Sequence, residues 1–172
     1  MKIVAEITLN LQTTHSERLM PSINNLFEEA SLKIRDLQGI ALSLGPGSFT
    51  GLRVGISTAQ GLAFALDKPL AGVPTLEVVA SQATGGDGFV SPMIDARKQQ
   101  VYASLYRSTG GVLEQVQPAT VLDPVAWVES LTQPAVLIGA GAAVYSERIA
   151  ACAAAKSCIV VPEHLGIPRA ST

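Results

Sequence analysis

Apolar and polar positions change period along this chain, and each change marks an element. From Lys2 to Leu11 they alternate: Ile3, Ala5, Ile7 and Leu9 share one face, with Glu6, Thr8 and Asn10 among those opposite. That is the period of a half-buried strand. Thr14-His15-Ser16-Glu17 fits a capping box. Leu19, Met20, Ile23, Leu26, Phe27 and Ala30 then recur at helical spacing, with Pro21 deep enough to bend the helix. Ile40–Leu44 is an apolar run of strand length, broken by Gly45-Pro46-Gly47. Ser48 or Thr50 can cap the next helix, which runs to about Leu66 and stops at Asp67-Lys68-Pro69. Pro69–Val73 reads as a strand and Thr75–Ala83 as a helix.

Thr84-Gly85-Gly86-Asp87-Gly88 is the strongest boundary signal. It predicts a first α/β lobe over residues 1–85 and a second over residues 86–172. In the second, Val90–Ile94 and Gln100–Tyr106 read as strands joined by Asp95-Ala96-Arg97-Lys98. Val112–Val116 follows the Gly110-Gly111 turn as a third strand. Asp123-Pro124 is an N-cap and first-turn pair for a short helix ending near Leu131. Ala135–Ile138 reads as strand, Ala143–Ala154 as helix and Ile159–Val161 as a last strand, so each half alternates β and α.

Composition narrows the classes. The chain has 172 residues, 48% apolar and 15% charged, with net charge −2. That fits a buried core with some apolar surface kept for partners, and not a disordered chain. No large basic excess advertises nucleic-acid binding, so RNA contact is expected to be local or through a partner. No apolar run approaches the ~20 residues of a membrane span. Cys152 and Cys158 lack CxxC spacing and read as buried free thiols of a reducing, cytoplasmic compartment.

The helix from Ser48 to Leu66 carries the sharpest pattern. Arg53, Ser57 and Gln60 form a narrow polar stripe, and Gly51, Gly55, Thr58, Ala59 and Leu62 line another face. A glycine inside a helix costs about 1 kcal/mol against Ala, so close packing should offset it. Two readings stand: tight packing on the chain's own sheet, or close contact with a helix of another subunit. The glycine turn before this helix meets neither nucleotide motif. A Walker loop needs a lysine after its second glycine, where Leu52 and Arg53 follow Gly51. A dinucleotide fingerprint needs its third glycine at Thr50. Free N–H groups at the helix start could still hold an anion.

SLGPGSFTGLRVGISTAQGLAFALDKPLAGVPTLEVVA, with THSERLMPSINNLFEEASL upstream and IDARKQQVYASLY downstream, resembles the bacterial TsaB (YeaZ) proteins. The likeness covers most of the chain and is weakest between Thr109 and Lys156. It implies an α/β, actin-like, two-lobed fold of the sugar-kinase and chaperone superfamily. It also implies kinship with the TsaD enzyme. Relative to that family the first strand and a C-terminal helix are expected to be missing from this chain. Catalytic relatives carry a metal-binding His-x-x-x-His pair where this chain has Thr75 and Val79. Valine cannot ligate, and a lone threonine hydroxyl is a poor transition-metal ligand.

The resemblance therefore implies a non-catalytic scaffold that binds and activates a TsaD-type transferase. Together with a TsaE-type ATPase they make N6-threonylcarbamoyladenosine in tRNA. No cofactor is expected in this chain; ATP, magnesium and a metal belong to the partner subunits, and tRNA is met only through the complex. The family associates through first-lobe helices, which points to His15, Leu19, Met20, Ile23 and Phe27, and to Gly51, Val54, Gly55, Thr58, Ala59 and Leu62, as the interface. The same face would make a homodimer when the partner is absent. Gly45, Gly47, Ser48 and Asp95 are candidate anion or nucleotide contacts. An Asx turn with a nearby ion pair is the plainer role for Asp95. His164, in a Pro-rich tail, reads as structural or exposed, and Tyr102, Tyr106 and Trp127 as packing. Rival functions are an ATPase or small-molecule kinase of the same superfamily, a glycoprotease-like peptidase, and a direct tRNA-binding module.

Overall fold

The computed structural model describes residues 3–8, 15–83, 85–152 and 157–171. The chain forms two compact units, the first reaching Pro74 and the second beginning at Thr75.

In the first unit, α1 (His15–Glu29) leads through a short 3-10 turn at Ile34–Asp36 to β1 (Ile40–Ser43). Next come α2 (Phe49–Leu66) and β2 (Leu70–Val73). β1 and β2 pair in parallel, Ile40 beside Leu70 and Ser43 beside Val73, with α2 as the crossover between them. α2 packs on β1 and β2, and α1 packs on α2. Ser48 caps α2, its Oγ accepting from the Gly51 N–H at 3.3 Å. Asp67, at φ +51°, ends the helix in the left-handed conformation. Ala59 and Ala63 are the buried residues of α2. Pro21 lies within α1.

One expectation for this unit fails. Residues 3–8 make no ladder, and Ile3, Val4 and Ile7 stay exposed. Alternation gives a segment the faces of a strand but not a neighbour to bond with, and β1 and β2 bond to each other. The capping box at Thr14–Glu17 lies outside the described residues.

The second unit is built on a mixed five-stranded sheet. α3 (Thr75–Ser81) precedes β3 (Gly88–Arg97), β4 (Gln100–Thr109) and β5 (Val112–Leu122). α4 (Pro124–Ser130), β6 (Ala135–Ile138), α5 (Ala140–Val144), α6 (Ser146–Ala150) and β7 (Ile159–Val160) follow. The strand order is β5-β4-β3-β6-β7, antiparallel from β5 to β3 and parallel from β3 to β7. Leu76, Val79, Ala80, Val90, Tyr106 and Ile138 form one core cluster. Met93, Val101, Leu105, Trp127, Leu137 and Ile149 anchor another.

The units divide at Pro74, ahead of the glycine-rich segment that the sequence marked as the boundary between 85 and 86. The reason is α3, whose buried Leu76, Val79 and Ala80 pack with the second sheet. The helix expected over Ala143–Ala154 is instead two short helices that break at Tyr145. β5 runs past the expected Val116 because its Pro118 sits on an edge strand, where a missing N–H is tolerated. Two register shifts opposite Ala103–Tyr106 absorb the distortion.

Candidate functional site

The predicted interface residues all fall in the first unit, on α1 and α2. Leu19, Ile23 and Phe27 are half-buried and Met20 is exposed, while the side chain of His15 lies outside the described residues. On α2, Gly51, Val54, Gly55, Thr58 and Leu62 are half-buried. Ala59 departs from its expected place: at 8% exposure it belongs to the interior with Ala63, one turn on, and is not open surface. The glycines are informative. A Cβ at Gly55 would meet nothing within 4 Å, and one at Gly51 only the Ser48 side chain at an ordinary 3.5 Å. Packing among the described residues therefore demands neither glycine. Of the two readings of this face, the contact with the chain's own sheet does not account for Gly55.

The candidate anion contacts divide between the units. Gly45 takes φ +106°, and the Gly45–Pro46 peptide is cis. The Ser48 hydroxyl is engaged as the cap of α2. Asp95 stands apart, at the end of β3 in the second unit. Its Oδ1 accepts from the Arg97 N–H at 2.9 Å, and its Oδ2 lies 3.8 Å from the Arg97 guanidinium. The Asx turn with a nearby ion pair is thus present. Asp95 Oδ1 also accepts from the Tyr145 hydroxyl at 3.0 Å. Partial desolvation, and then the hydrogen bond and charge of Asp95, push the Tyr145 pKa up. Arg148 lies over the Tyr145 ring at 5.8 Å and pairs with Asp123 at 2.7 Å.

Sequence reasoning found Asp95 but missed Tyr145 and Arg148, because Tyr145 lies 50 residues from its partner. The close approach was foreshadowed by Gly139-Ala140-Gly141, just before Tyr145. A Cβ at Gly139 would lie 2.6 Å from Met93 O, and one at Gly141 2.9 Å from Met93 C. Only glycines let this turn rest on β3 and bring Tyr145 to Asp95.

Thr75 and Val79, the positions that the resemblance sets against a metal-binding pair, are 9% and 1% exposed. Val79 packs in the core beside Leu76 and Ile138, and its Cγ1 would be 3.2 Å from a Cβ on Gly139. These positions do not fit a metal: one residue has no donor atom and faces apolar neighbours. Among the described residues, no group of three or more His, Cys, Asp or Glu side chains could hold a metal ion. Trp127 and Tyr106 are buried in the core, His164 is exposed, and both cysteines are free, Cys152 buried and Cys158 half-buried. No helix of the described residues is long and apolar enough to cross a membrane.

Comparison with known proteins agrees with the motif. A family model described as TsaD, tRNA N6-adenosine threonylcarbamoyltransferase, matches residues 2–170. The tRNA threonylcarbamoyladenosine biosynthesis protein TsaB of Bacillus subtilis (strain 168) is 36% identical over 150 residues, 86% of this chain. This chain belongs to the TsaB family. TsaB of Escherichia coli (strain K12) is 36% identical over 113 residues, covering 64% of this chain and 49% of its own length. Among solved structures, YeaZ from Pseudomonas aeruginosa matches with TM-score 0.66 and 33% identity, over 80% of this chain and 66% of that one. A second structure, described as an uncharacterized protein with similarity to peptidase YEAZ from Pseudomonas aeruginosa, gives TM-score 0.70 and 31% identity. It covers 87% of this chain and 69% of that one. The fold is accordingly the α/β, actin-like fold shared by TsaB and TsaD. This TsaB-family chain spans 66% of the length of the Bacillus subtilis relative.

Proposed function

We propose that this TsaB-family chain takes part in forming N6-threonylcarbamoyladenosine in tRNA, as a non-catalytic subunit that binds and activates a TsaD-type transferase. The observation that carries this reading is the placement of Val79. The position that would hold an imidazole in a metal-binding relative is a core valine at 1% exposure. The resemblance to the enzyme family is retained while the donor set for its metal is not.

On this reading the first-unit helices α1 and α2 are the docking surface. The open space over Gly55 supports it, since a helix glycine is destabilising unless another backbone approaches. ATP, magnesium and the metal reside in the TsaD-type and TsaE-type partners, tRNA is held by the assembled complex in the cytoplasm, and two copies of the chain pair when the transferase is absent. The peptidase rival needs a nucleophile with a base in reach, and among the described residues the Ser48 hydroxyl at the glycine turn bonds to the Gly51 N–H and to no base.

Size-exclusion chromatography with light scattering tests the proposal. The chain is run alone, then mixed with the TsaD-type transferase from the same source, and both are repeated with Gly55→Leu. The expected result is a mixed complex that Gly55→Leu weakens while the variant's melting temperature holds. No complex with either the chain or its longer relatives would sink the subunit reading.

A further inference from the structure

We infer that the tip of the β3–β4 hairpin, Arg97-Lys98-Gln99, contacts the phosphate backbone of RNA. The inference rests on the tRNA-modification reading above and adds a contact made by this chain itself.

The first ground is the backbone. Arg97 pairs with Gln100, so Lys98 and Gln99 form a two-residue turn, and a register shift precedes Arg97. All three tip residues are left-handed, with φ of +64° at Arg97, +49° at Lys98 and +59° at Gln99. A two-residue turn with both φ positive favours Asn-Gly or Asp-Gly, and a left-handed bulge residue favours Gly. None of the three is Gly, Asn or Asp. Three successive side chains are thus kept where the turn itself favours others, and such departures from local preference gather at functional sites.

The second ground is what those side chains offer. They are two cations and an amide, all exposed. The Arg97 side chain is 89% exposed, and its ion pair with Asp95 Oδ2 is a long one, at 3.8 Å. Among the described residues no carboxylate forms an ion pair with Lys98. The tip is also braced. Asp95 Oδ1 accepts from both the Arg97 N–H and the Tyr145 hydroxyl, which fixes the end of β3 beneath the turn. Donors held out on a braced turn suit phosphate oxygens.

The third ground selects RNA over an acidic protein. Protein interfaces concentrate their affinity in buried aromatic or apolar anchors. Among the described residues no large hydrophobic side chain between Leu70 and Val112 is exposed, and the exposed ones that pairing brings toward the tip, Val121 opposite Tyr102 and Val144 beside Tyr145, are small aliphatics and not aromatic anchors. Phosphate contacts need none. With two cations on a chain of net charge −2, the tip supplies a local contact and not a whole binding site.

The test replaces the tip by the residues its backbone prefers, Arg97→Gly/Lys98→Asn/Gln99→Gly. A companion variant, Arg97→Gln/Lys98→Gln, removes only the charges. Each is measured for melting temperature and for binding of a fluorescein-labelled, unmodified tRNA transcript across a salt series. Both measurements use the chain alone and the chain with the TsaD-type transferase. The expected result is a higher melting temperature for the triple variant, with tRNA affinity down about tenfold at ~0.1 M salt for both. The slope of log K against log salt should shrink by roughly 1.5. Unchanged affinity and slope overturn the inference, as does tRNA binding undetectable in every format. A lower melting temperature for the triple variant removes the backbone ground and overturns it too. Weakened transferase binding in the same variants overturns it in favour of an acidic protein contact. If the unaltered chain binds tRNA through the tip but never binds the transferase, the subunit reading fails and the tip contact stands.

Discussion

The Arg148 guanidinium meets the Asp123 carboxylate at 2.7 Å, joining α6 to the first turn of α4. Asp123 is at the same time the N-cap of α4, its Oδ1 accepting from the N–H groups of Val125 at 2.9 Å and Ala126 at 3.3 Å. The Arg148 hydrogen bond, against partial desolvation and with help from the two backbone donors, holds the Asp123 pKa below its ordinary value.

That depressed pKa fixes a pH dependence. Its contribution is full above the unfolded carboxylate value, about pH 4, and is lost as pH falls through the lower folded value. Asn caps a helix about as well as Asp, so Asp123→Asn removes the charge and spares most of the cap. The variant should melt a few degrees lower than the parent at neutral pH, and the difference should close below about pH 4. Thermal unfolding at a series of pH values reads this. A difference that persists unchanged to the lowest pH would assign the stability to the cap alone.

Trp127 and Ser91 make a fully buried side-chain pair. The indole Nε1–H donates to Ser91 Oγ at 2.7 Å, with the two residues 2% and 0% exposed. Ser91→Ala would strand the indole N–H in the core, at a cost of about 1–3 kcal/mol. Trp127 is the sole tryptophan, so its fluorescence reports both the local change and the urea transition. Unaltered emission and an unshifted midpoint would show that the indole finds another acceptor.

The turn from β6 into α5 tolerates no Cβ at its third residue. At Gly141 it would lie 2.9 Å from Met93 C and 3.0 Å from Ile94 C, both main-chain atoms that cannot swing aside. Gly141→Ala should cost about 2 kcal/mol or more by overpacking. It should also move Tyr145 away from Asp95, raising amide exchange at Arg97, whose N–H that carboxylate holds. By contrast Gly55→Ala, which meets open space, should leave stability unchanged or raise it. Equal losses at both positions would refute the assignment of the one glycine to packing and the other to an external face.

What the sequence made legible is what local chemistry decides. Ser48 and Asp123 announce their helices because a side-chain oxygen satisfying free N–H groups is a short-range event. Trp127 in the core follows from its amphipathic helix. What it hid depends on distant partners. Residues 3–8 alternate as a strand does, yet make no ladder. The break at Tyr145 was invisible because Ala143–Ala154 contains no Gly or Pro to mark a stop. Its side chain is turned to a carboxylate on β3, far back in the chain. The same distance concealed the Arg148–Asp123 pair. The site motif itself was legible as a resemblance, and burial of Thr75 and Val79 supplies its physical content.

That burial leads to the sharpest prediction about chemistry. If Thr75 and Val79 were simply a metal pair with altered side chains, Thr75→His/Val79→His would restore a chelating i, i+4 couple on α3. The structure argues otherwise. Val79 lies among Leu76, Val90 and Ile138, with its Cγ1 3.2 Å from where a Cβ on Gly139 would stand. An imidazole there overfills the core and brings two ring nitrogens into apolar surroundings, each change costing about 1–3 kcal/mol. The double variant should therefore melt well below the parent, and added zinc should not restore it. Calorimetric zinc titration beside thermal unfolding checks both halves. Zinc binding that returned the melting temperature to the parent value would mean that α3 can present these positions to an ion, and would favour catalysis by this chain over the non-catalytic proposal.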